Sequence, residues 1–373
     1  MRAWRLNELG DPWDVLSLEE VESPSPGAGE ARVSVSASDL NFADILQCQG
    51  QYQVRLDPPF TPGMSVAGTV VEVGPECDLQ IGDRVLGMTA SGWGGYAEEA
   101  LVRGREMRIV PDNVSLPAAA AKNVIYGTGW TALHRRGQMQ PGETVLVLAA
   151  AGGVGSAAVQ MAKAHGCTVI AAAGGSEKAD VCRSLGADVV VDYNSEDLYE
   201  KVMEATSGAG CDLIYDPVGG EYFDVARRLV AWEGRLLVVG FASGDIPSAP
   251  ANHVLVKNYS VVGVHMGGYK GRMDEVLDEC YEELWGLVAS GALDPLVSKE
   301  LSLDDLMEGL IDLSTRKTTG RVMLRPDMWR LVSLPQFAVG DTRISPTVVP
   351  AQFLRVRGVA NSIQPKRSSS HSA

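Results

Sequence analysis

Residues Thr144–Ser156 read TVLVLAAAGGVGS, and the order of those letters decides the architecture. The apolar run Thr144–Ala149 has no polar alternation, which marks a strand buried on both faces. A glycine cluster follows, and then Ser156–His165 at helical period. A glycine-rich turn between such a strand and a helix is the setting of a dinucleotide fingerprint. In the loop Ala151-Gly152-Gly153-Val154-Gly155, Gly152 lets the backbone approach a pyrophosphate with no Cβ in the way. Gly155 lets the helix pack close to the strand. The N–H groups opening the helix at Val154–Ser156 then point at the phosphates. Read as G-x-G-x-x-G, the first glycine is replaced by Ala150.

Further apolar runs recur at Thr168–Ala173, Asp188–Val191, Asp212–Tyr215, Arg235–Gly240 and Ser260–Val264. Helices, such as one over Lys178–Leu185, or loops separate them. That alternation predicts a doubly wound parallel sheet in an α/β fold. The first third of the chain differs. Ala31–Ala37 (ARVSVSA) alternates as a half-buried strand does, and Ala67–Val73 and Arg84–Gly87 are short segments closed by Gly and Pro turns. They predict a small β-rich barrel or sandwich. Pro111–Ala121 reads as a loop entering a helix, with Asp112, Ser115 and Pro117 as capping and first-turn residues. Met273–Ala289 and Leu303–Leu313 read as helices and Gly320–Leu324 as a closing strand.

The 373 residues carry 47 acids against 32 bases, a net charge of −15. A duplex-binding surface needs a basic patch, so nucleic acid is excluded as a partner. The charge is uneven, because Met328–Ala373 holds six Lys/Arg and one acid. This basic, Ser-ended stretch, taken as residues 327–373, reads as a disordered extension or a docking tail. Six cysteines without a C-x-x-C pair fit a reducing cytosol. The opening MRAWRLNELGDPWD predicts no secretory leader, and no apolar run is long enough to span a membrane. The expected setting is cytoplasmic.

Cofactor choice turns on the end of the second strand. An NAD site needs an acid about 20 residues past the loop for the ribose 2′-OH. Here that place is Ala173-Gly174-Gly175-Ser176, and Lys178 follows. A hydroxyl and an ammonium suit a 2′-phosphate, so NADPH is expected. Lys178 also reads as an ordinary solvated helix lysine. Glu177 is expected to open the helix facing solvent.

In this order along the chain, several motifs resemble the zinc-free quinone oxidoreductase (zeta-crystallin-like) branch of the medium-chain dehydrogenase/reductase superfamily. They are Asn41-Phe42-Ala43-Asp44, Pro62-Gly63-Met64-Ser65-Val66-Ala67-Gly68, Gly82-Asp83-Arg84-Val85, Gly94-Gly95-Tyr96-Ala97-Glu98, the glycine loop, Val239-Gly240-Phe241-Ala242-Ser243-Gly244 and Lys317-Thr318-Thr319-Gly320-Arg321. The resemblance implies a GroES-like catalytic domain, residues 1–122 and 265–326, around an inserted Rossmann NADPH-binding domain, residues 123–264. It also implies a homodimer. Zinc relatives place a Cys near Ser38-Asp39 and Gly-His-Glu where this chain has Gly63-Met64-Ser65. Ser38 and Met64 are poor ligands for Zn²⁺, and Met88–Gly95 holds none of the cysteines of a structural zinc lobe, so no metal is expected.

Without a Lewis acid, the expected acceptors are already electrophilic: quinones and α,β-unsaturated carbonyls. The resemblance puts Asn41 beside the nicotinamide and Tyr52 at the cleft mouth as a hydrogen-bond or proton donor, with Asp44 orienting them. Asn41 also reads as a turn residue, Tyr52 as an exposed loop aromatic and Asp44 as a helix-start residue. It further implies cofactor contacts for Tyr126, Thr128, Tyr193, Val218, Phe241 and Lys317. Arg321 reads as a late contact or as a surface charge. Trp93 and Trp130 read as packing residues. Two alternatives stand beside the quinone or enone reductase. One is an enoyl-thioester (acyl-CoA) reductase, for which Arg103, Arg105 and Arg108 would supply the basic patch. The other is an NADPH-binding protein with little turnover.

Overall fold

In the computed structural model the described residues are 1–52, 55–90 and 94–328. Trp93 and the basic tail beyond residue 328 lie outside them. A ribbon of β1 (Arg2–Leu6) and β2 (Leu16–Glu20) brackets the single turn α1 (Pro12–Val15). Next come β3 (Glu30–Asp39), α2 (Phe42–Cys48), β4 (Ser65–Val73), β5 (Arg84–Met88), β6 (Glu99–Arg103) and β7 (Arg108–Ile109). Helix α3 (Leu116–Trp130) leads into a π-helical turn, Thr131–Arg136. Then strands and helices alternate: β8 (Thr144–Val147), α4 (Gly153–Ala164), β9 (Thr168–Ala173), α5 (Ser176–Ser184), β10 (Val189–Asp192), α6 (Leu198–Ala205), β11 (Cys211–Asp216), α7 (Gly220–Leu229), β12 (Val230–Val238), α8 (Ala251–Lys257) and β13 (Ser260–Gly263). The chain closes with α9 (Asp274–Ala289), β14 (Val297–Ser302), α10 (Leu306–Ser314) and β15 (Arg321–Arg325).

The alternating stretch forms a six-stranded, all-parallel sheet in the order β10-β9-β8-β11-β12-β13. Its inner strands β9, β8 and β11 are apolar because both faces are covered, whereas the edge strand β13 is largely exposed. The strand order reverses between β8 and β11, and ligands gather outside the carboxyl ends of strands at such a switch point. β12 begins at Val230, five residues before the expected start. Its first turn of sequence, Val230–Glu233, has exposed members and so lacks the apolar run that marks a buried strand.

The other sheet is mixed, in the order β14-β15-β3-β4-β5-β7 with β6 also on β3. β14 and β15 pair in parallel, and the remaining pairs are antiparallel. Strand β15, near residue 323, meets the end of β3 at Asp39, so the late part of the chain returns to the early part. Helix α3 joins the two sheets. Ser115 caps it, its Oγ accepting the N–H of Ala118 at 3.3 Å. The small residues Ala119–Ala121 are fully buried against β3, β4 and β5, and Ile125, Tyr126 and Trp130 enter the core with α4. Among the described residues no helix is long and apolar enough to cross a membrane.

Candidate active site

The glycine loop leaves β8 through Ala149, whose φ is +48°. Ala150 is then fully buried in the core, and its N–H donates to the Ala172 carbonyl at 2.9 Å. The residue that turns left-handed is thus Ala149, so Ala150 needs no glycine's freedom. Gly155 has no such latitude. A Cβ there would lie 2.3 Å from the Ala149 carbonyl oxygen and 2.8 Å from the Ala150 Cα, inside any tolerable contact. Gly152 precedes α4 in extended geometry, and Gly153 opens the helix.

Across the loop lies Arg321 of β15. Its Nη1 would stand 3.2 Å from a Cβ on Gly153, and the neighbouring Gly320 N–H donates to the Ala151 carbonyl at 2.8 Å. Arg321 is 6% exposed, which excludes its reading as a surface charge. Its Nη2 donates to the Asp39 carboxylate and, at 3.0 Å, to Asn41 Oδ1. Its Nε is buried with no partner. A guanidinium N–H orphaned beside an open glycine turn fits a pyrophosphate, because a buried donor wants an anionic acceptor.

At the end of β9 the chain turns through Gly174 and Gly175. Tyr193 packs over Gly174, where a Cβ would lie 2.7 Å from the ring. Gly175, at φ +92°, donates its N–H to Asp192 Oδ1 at 2.7 Å. Ser176 opens α5 exposed, and Glu177 faces solvent as expected. Lys178 bends back, its Nζ donating to the Arg316 carbonyl at 2.7 Å. Arg316 in turn donates through Nη2 to the Ala242 carbonyl at 3.2 Å. Desolvation, then the charge of Arg316, pulls the Lys178 ammonium below its ordinary range. Burial raises the Tyr193 and Tyr222 phenols, and Arg316 acts against that in both. Their rings sit 5.2 Å apart. So Lys178, Arg316, Tyr193 and Tyr222 share one corner. The sequence reading named Lys178 and Tyr193 and missed Arg316 and Tyr222. It named Lys317; both Arg316 and Lys317 are exposed, and Arg316 reaches the Ala242 carbonyl.

The carboxyl edge of β11 is held by Asp216, whose Oδ1 accepts the N–H groups of Val218 (2.8 Å) and Gly219 (2.9 Å). Phe241, after β12, covers that turn at 37% exposure, its ring 3.0 Å from where a Gly219 Cβ would be. On α3, Thr128 is half-buried, but Tyr126 is fully enclosed in the core, with burial pushing its phenol up. Met266 packs on Gly127, leaving less than 3 Å for a Cβ there. A motif search does not find Met266, because its position follows only from β13 ending at the same sheet edge.

Asn41 is the residue before α2. Its Nδ2 donates to the Asp39 carbonyl at 3.2 Å, and Arg321 holds its Oδ1. The amide is thereby oriented, and its second N–H is uncommitted. Asp44, at the third position of α2, is 1% exposed. Its Oδ2 accepts the Asn41 N–H at 2.8 Å and the Tyr96 hydroxyl at 2.6 Å. Burial is the first reason that its carboxyl is pushed up to about 7. Tyr52 lies within its electrostatic reach, and burial, then Asp44, raises its phenol.

Where zinc relatives keep ligands, side chains here bond to one another. Ser38 Oγ donates to the Ser65 carbonyl at 2.8 Å, Asn123 Nδ2 to Ser65 Oγ at 2.9 Å, and the Tyr281 hydroxyl to Asn123 Oδ1 at 2.5 Å. Among the described residues no three His, Cys, Asp or Glu side chains converge on one point. This donor set of hydroxyls and amides does not fit Zn²⁺. Trp130 is a packing residue, 3% exposed, its indole N–H on Glu283 at 2.6 Å.

Residues 27–112 match the alcohol dehydrogenase GroES-like domain, and residues 153–282 match the family described as zinc-binding dehydrogenase. That second description names a metal for which the residues just described are unsuited. Over 326 residues the chain is 39% identical to the quinone oxidoreductase-like protein 2 homolog of Nematostella vectensis, covering 87% of this chain and 88% of the other. It superposes with a TM-score of 0.80 and 33% identity on a mycobacterial protein complexed with NADPH, over 87% of this chain and 100% of that one. The quinone oxidoreductase of Escherichia coli complexed with NADPH gives 0.79 and 29% over the same shares. With the GroES-like and Rossmann sheets in place, these likenesses show that the chain belongs to the quinone oxidoreductase-like branch of the medium-chain dehydrogenase/reductase superfamily.

Proposed function

We propose that this oxidoreductase transfers hydride from NADPH to a quinone or another α,β-unsaturated carbonyl, without a metal. The observation that carries the reading is the corner shared by Lys178, Arg316 and Tyr193, with no acid at the end of β9. A 2′-phosphate placed there meets two cations and a phenol, and the nearby Asp192 carboxylate already accepts the Gly175 and Asn194 N–H groups. Ala151–Gly155 and Arg321 would hold the pyrophosphate, with Ser176 beside the 2′-phosphate. Thr128, Val218 and Phe241 would flank the rest of the dinucleotide. Bound NADPH supplies the hydride. Asn41 offers its free amide N–H to the oxygen where charge develops, its other end locked by Arg321. Tyr52 delivers the proton. We take residues 1–122 and 265–326 as the catalytic unit and 123–264 as the nucleotide unit. α3 spans their junction.

The enoyl-thioester alternative is weakened at its basic patch. Arg108 is already paired with Asp278 at 2.5 Å and Arg103 with Glu106 at 3.6 Å. We also propose that a second copy pairs along β13. This edge strand of the parallel sheet carries exposed Val261, and α8 nearby has Leu255 and Val256 more than 70% exposed. Sedimentation should then give a dimer, and a monomer would refute this.

NADPH oxidation with 1,4-benzoquinone, 9,10-phenanthrenequinone and crotonyl-CoA tests the function. Turnover with the quinones is expected. Turnover with the thioester alone would overturn the assignment, and none with any acceptor would favour a binding protein.

A further inference from the structure

The segment that follows β13 lines a pocket of about 250 Å³ that shares no residue with the cofactor site. Two arginines line it from separate elements. Arg136 ends the π-helical turn after α3, and Arg272 stands two residues before α9. Arg136 donates through Nε to the Gly263 carbonyl at 3.1 Å, and Arg272 through Nη1 to the Gly268 carbonyl at 3.3 Å. Each bond fixes one N–H of a guanidinium on backbone, and a guanidinium carries five. His265 is the third polar side chain. A Cβ on Gly268 would lie 2.9 Å from its Nδ1, and one on Gly267 3.6 Å from its Nε2, so the imidazole lies along that turn. No Asp or Glu lines the pocket. The acid nearest in sequence, Asp274, accepts the Gly271 N–H at 2.7 Å.

In a chain with 47 acids against 32 bases, an arginine readily finds a carboxylate. Arg235, whose Nε donates to the carbonyl of Gly137 beside Arg136, is paired with Glu143 at 2.9 Å. Among the described residues neither Arg136 nor Arg272 is in an ion pair. Two cations that line one small pocket repel each other, and an anion between them reverses the sign of that interaction. The pocket is also remote from the adenosine corner. β9, which leads to Lys178, and β13 are four strands apart in the sheet, or about 19 Å at the usual strand spacing.

We propose that this pocket binds a phosphate dianion, either the free ion or the phosphate of an ester, at the uncommitted N–H groups of Arg136 and Arg272 with His265 as a further partner. A carboxylate is satisfied by one guanidinium fork, whereas a phosphate presents enough oxygens for both forks and an imidazole. The volume is several times the share of one water, about 30 Å³. Tyr269 and Met273 add an apolar wall that phosphate itself does not need. An ester with a small apolar body uses the whole pocket, and the free ion uses only its basic side. Because Arg136 holds the Gly263 carbonyl, a second copy paired along β13 finds that acceptor occupied at the pocket's edge.

Isothermal titration calorimetry of the full chain at about pH 7.5, where a phosphate ester is a dianion, tests this. Inorganic phosphate and phenyl phosphate are the two titrants, and NADP⁺ is kept saturating so that the glycine loop and the Lys178 corner are already filled. One site per chain is expected. Arg136→Gln and Arg272→Gln should each weaken it about 10-fold, the worth of one charge-assisted hydrogen bond. The double variant should give no measurable heat. Kd for NADPH, read by fluorescence titration, should stay within about 2-fold in all three, because neither arginine belongs to the cofactor site. Both side chains are exposed, so these variants should keep the wild-type circular dichroism spectrum. Phenyl phosphate bound about 10-fold tighter than inorganic phosphate would support an ester as the occupant, and equal affinities would support the free ion. No heat from either titrant in the wild type, or heat that survives the double variant, would overturn the proposal. The readout is binding, so a protein that reduced no quinone would overturn the functional reading and leave this site standing.

Discussion

At the end of the cleft where we propose the phosphates bind, the working groups are backbone. Gly155 is fixed because a Cβ there would lie 2.3 Å from the Ala149 carbonyl oxygen, and we propose that the N–H groups opening α4 meet the phosphates. At the acceptor end they are side chains brought from far apart. Asn41 comes from the start of α2, Tyr96 from before β6, and Arg321 from 280 residues after Asn41. The first kind of site is written locally and tolerates little change at a few positions. The second is assembled by the fold, and its members can be altered one at a time with separable effects.

Arg321 is where the two kinds meet, so its loss should be the most damaging. Arg321→Met leaves Asp39 buried without its cation. Removing one partner of a buried pair costs about 3–5 kcal/mol, and urea denaturation should show it. NADPH affinity and turnover should fall together, because the same guanidinium lies against Gly153 and orients Asn41. A variant that lost turnover and kept both stability and cofactor affinity would break the idea that one residue ties the two ends.

Gly155→Val separates them. A side chain there drives into the Ala149 carbonyl and the Ala150 Cα, and overpacking of that kind, at 1–3 kcal/mol, can raise the Kd for NADPH by about 100-fold. Asn41→Ala should do the opposite. It should change Kd, read by fluorescence titration, by about 3-fold or less, and lower kcat by about 100-fold, as removal of one oxyanion donor does. If Asn41→Ala lost affinity as Gly155→Val does, the division of labour between backbone and side chain would fail.

A smaller effect is expected where both kinds of group cooperate. Lys178→Ala and Arg316→Ala each remove one charge from the adenosine corner. Each should raise the KM for NADPH about 10-fold, the worth of one charge-assisted hydrogen bond, and leave that for NADH within about 2-fold. Equal effects on the two cofactors would refute the 2′-phosphate role.

What could be read from the sequence follows the same line. The loop and both sheets were legible because apolar runs, glycines and their spacing act over a few residues. Ala149 taking the left-handed turn in place of a glycine was not legible, since only φ reveals it. Arg316 was not named beside Lys317, because its contact with the Ala242 carbonyl depends on where the loop after β12 lies. Arg321 was balanced against a surface charge until β15 was seen to pair with the end of β3 at Asp39. Asp44 carried two readings, and the structure shows the helix-start one: its Oδ2 accepts the Asn41 N–H at the start of α2.

The last prediction uses a side chain that the acceptor end buries with no visible use. Lys122 on α3 is 1% exposed, its Nζ has no hydrogen-bond partner, and it stands 2.9 Å from the centre of the Trp285 ring. Burial pulls its ammonium down to about 7 from an ordinary 10.5. The unfolded chain therefore binds more protons than the folded one between about pH 7 and about pH 10.5, so stability rises with pH across that window. Below it the full penalty of a buried charge applies. Lys122→Met fills the same volume without the charge and should stabilise the protein by about 1–2 kcal/mol at pH 7. The gain should shrink as pH rises and vanish only well above the ordinary value, by about pH 11.5, where the lysine is neutral in both states. Urea denaturation at the two pH values measures it. A gain that did not change with pH would mean that shape alone was at work. A loss would mean that the ring face of Trp285 holds the cation well enough to outweigh its burial, and that this helix tolerates a buried charge as part of the side-chain construction on its side of the cleft.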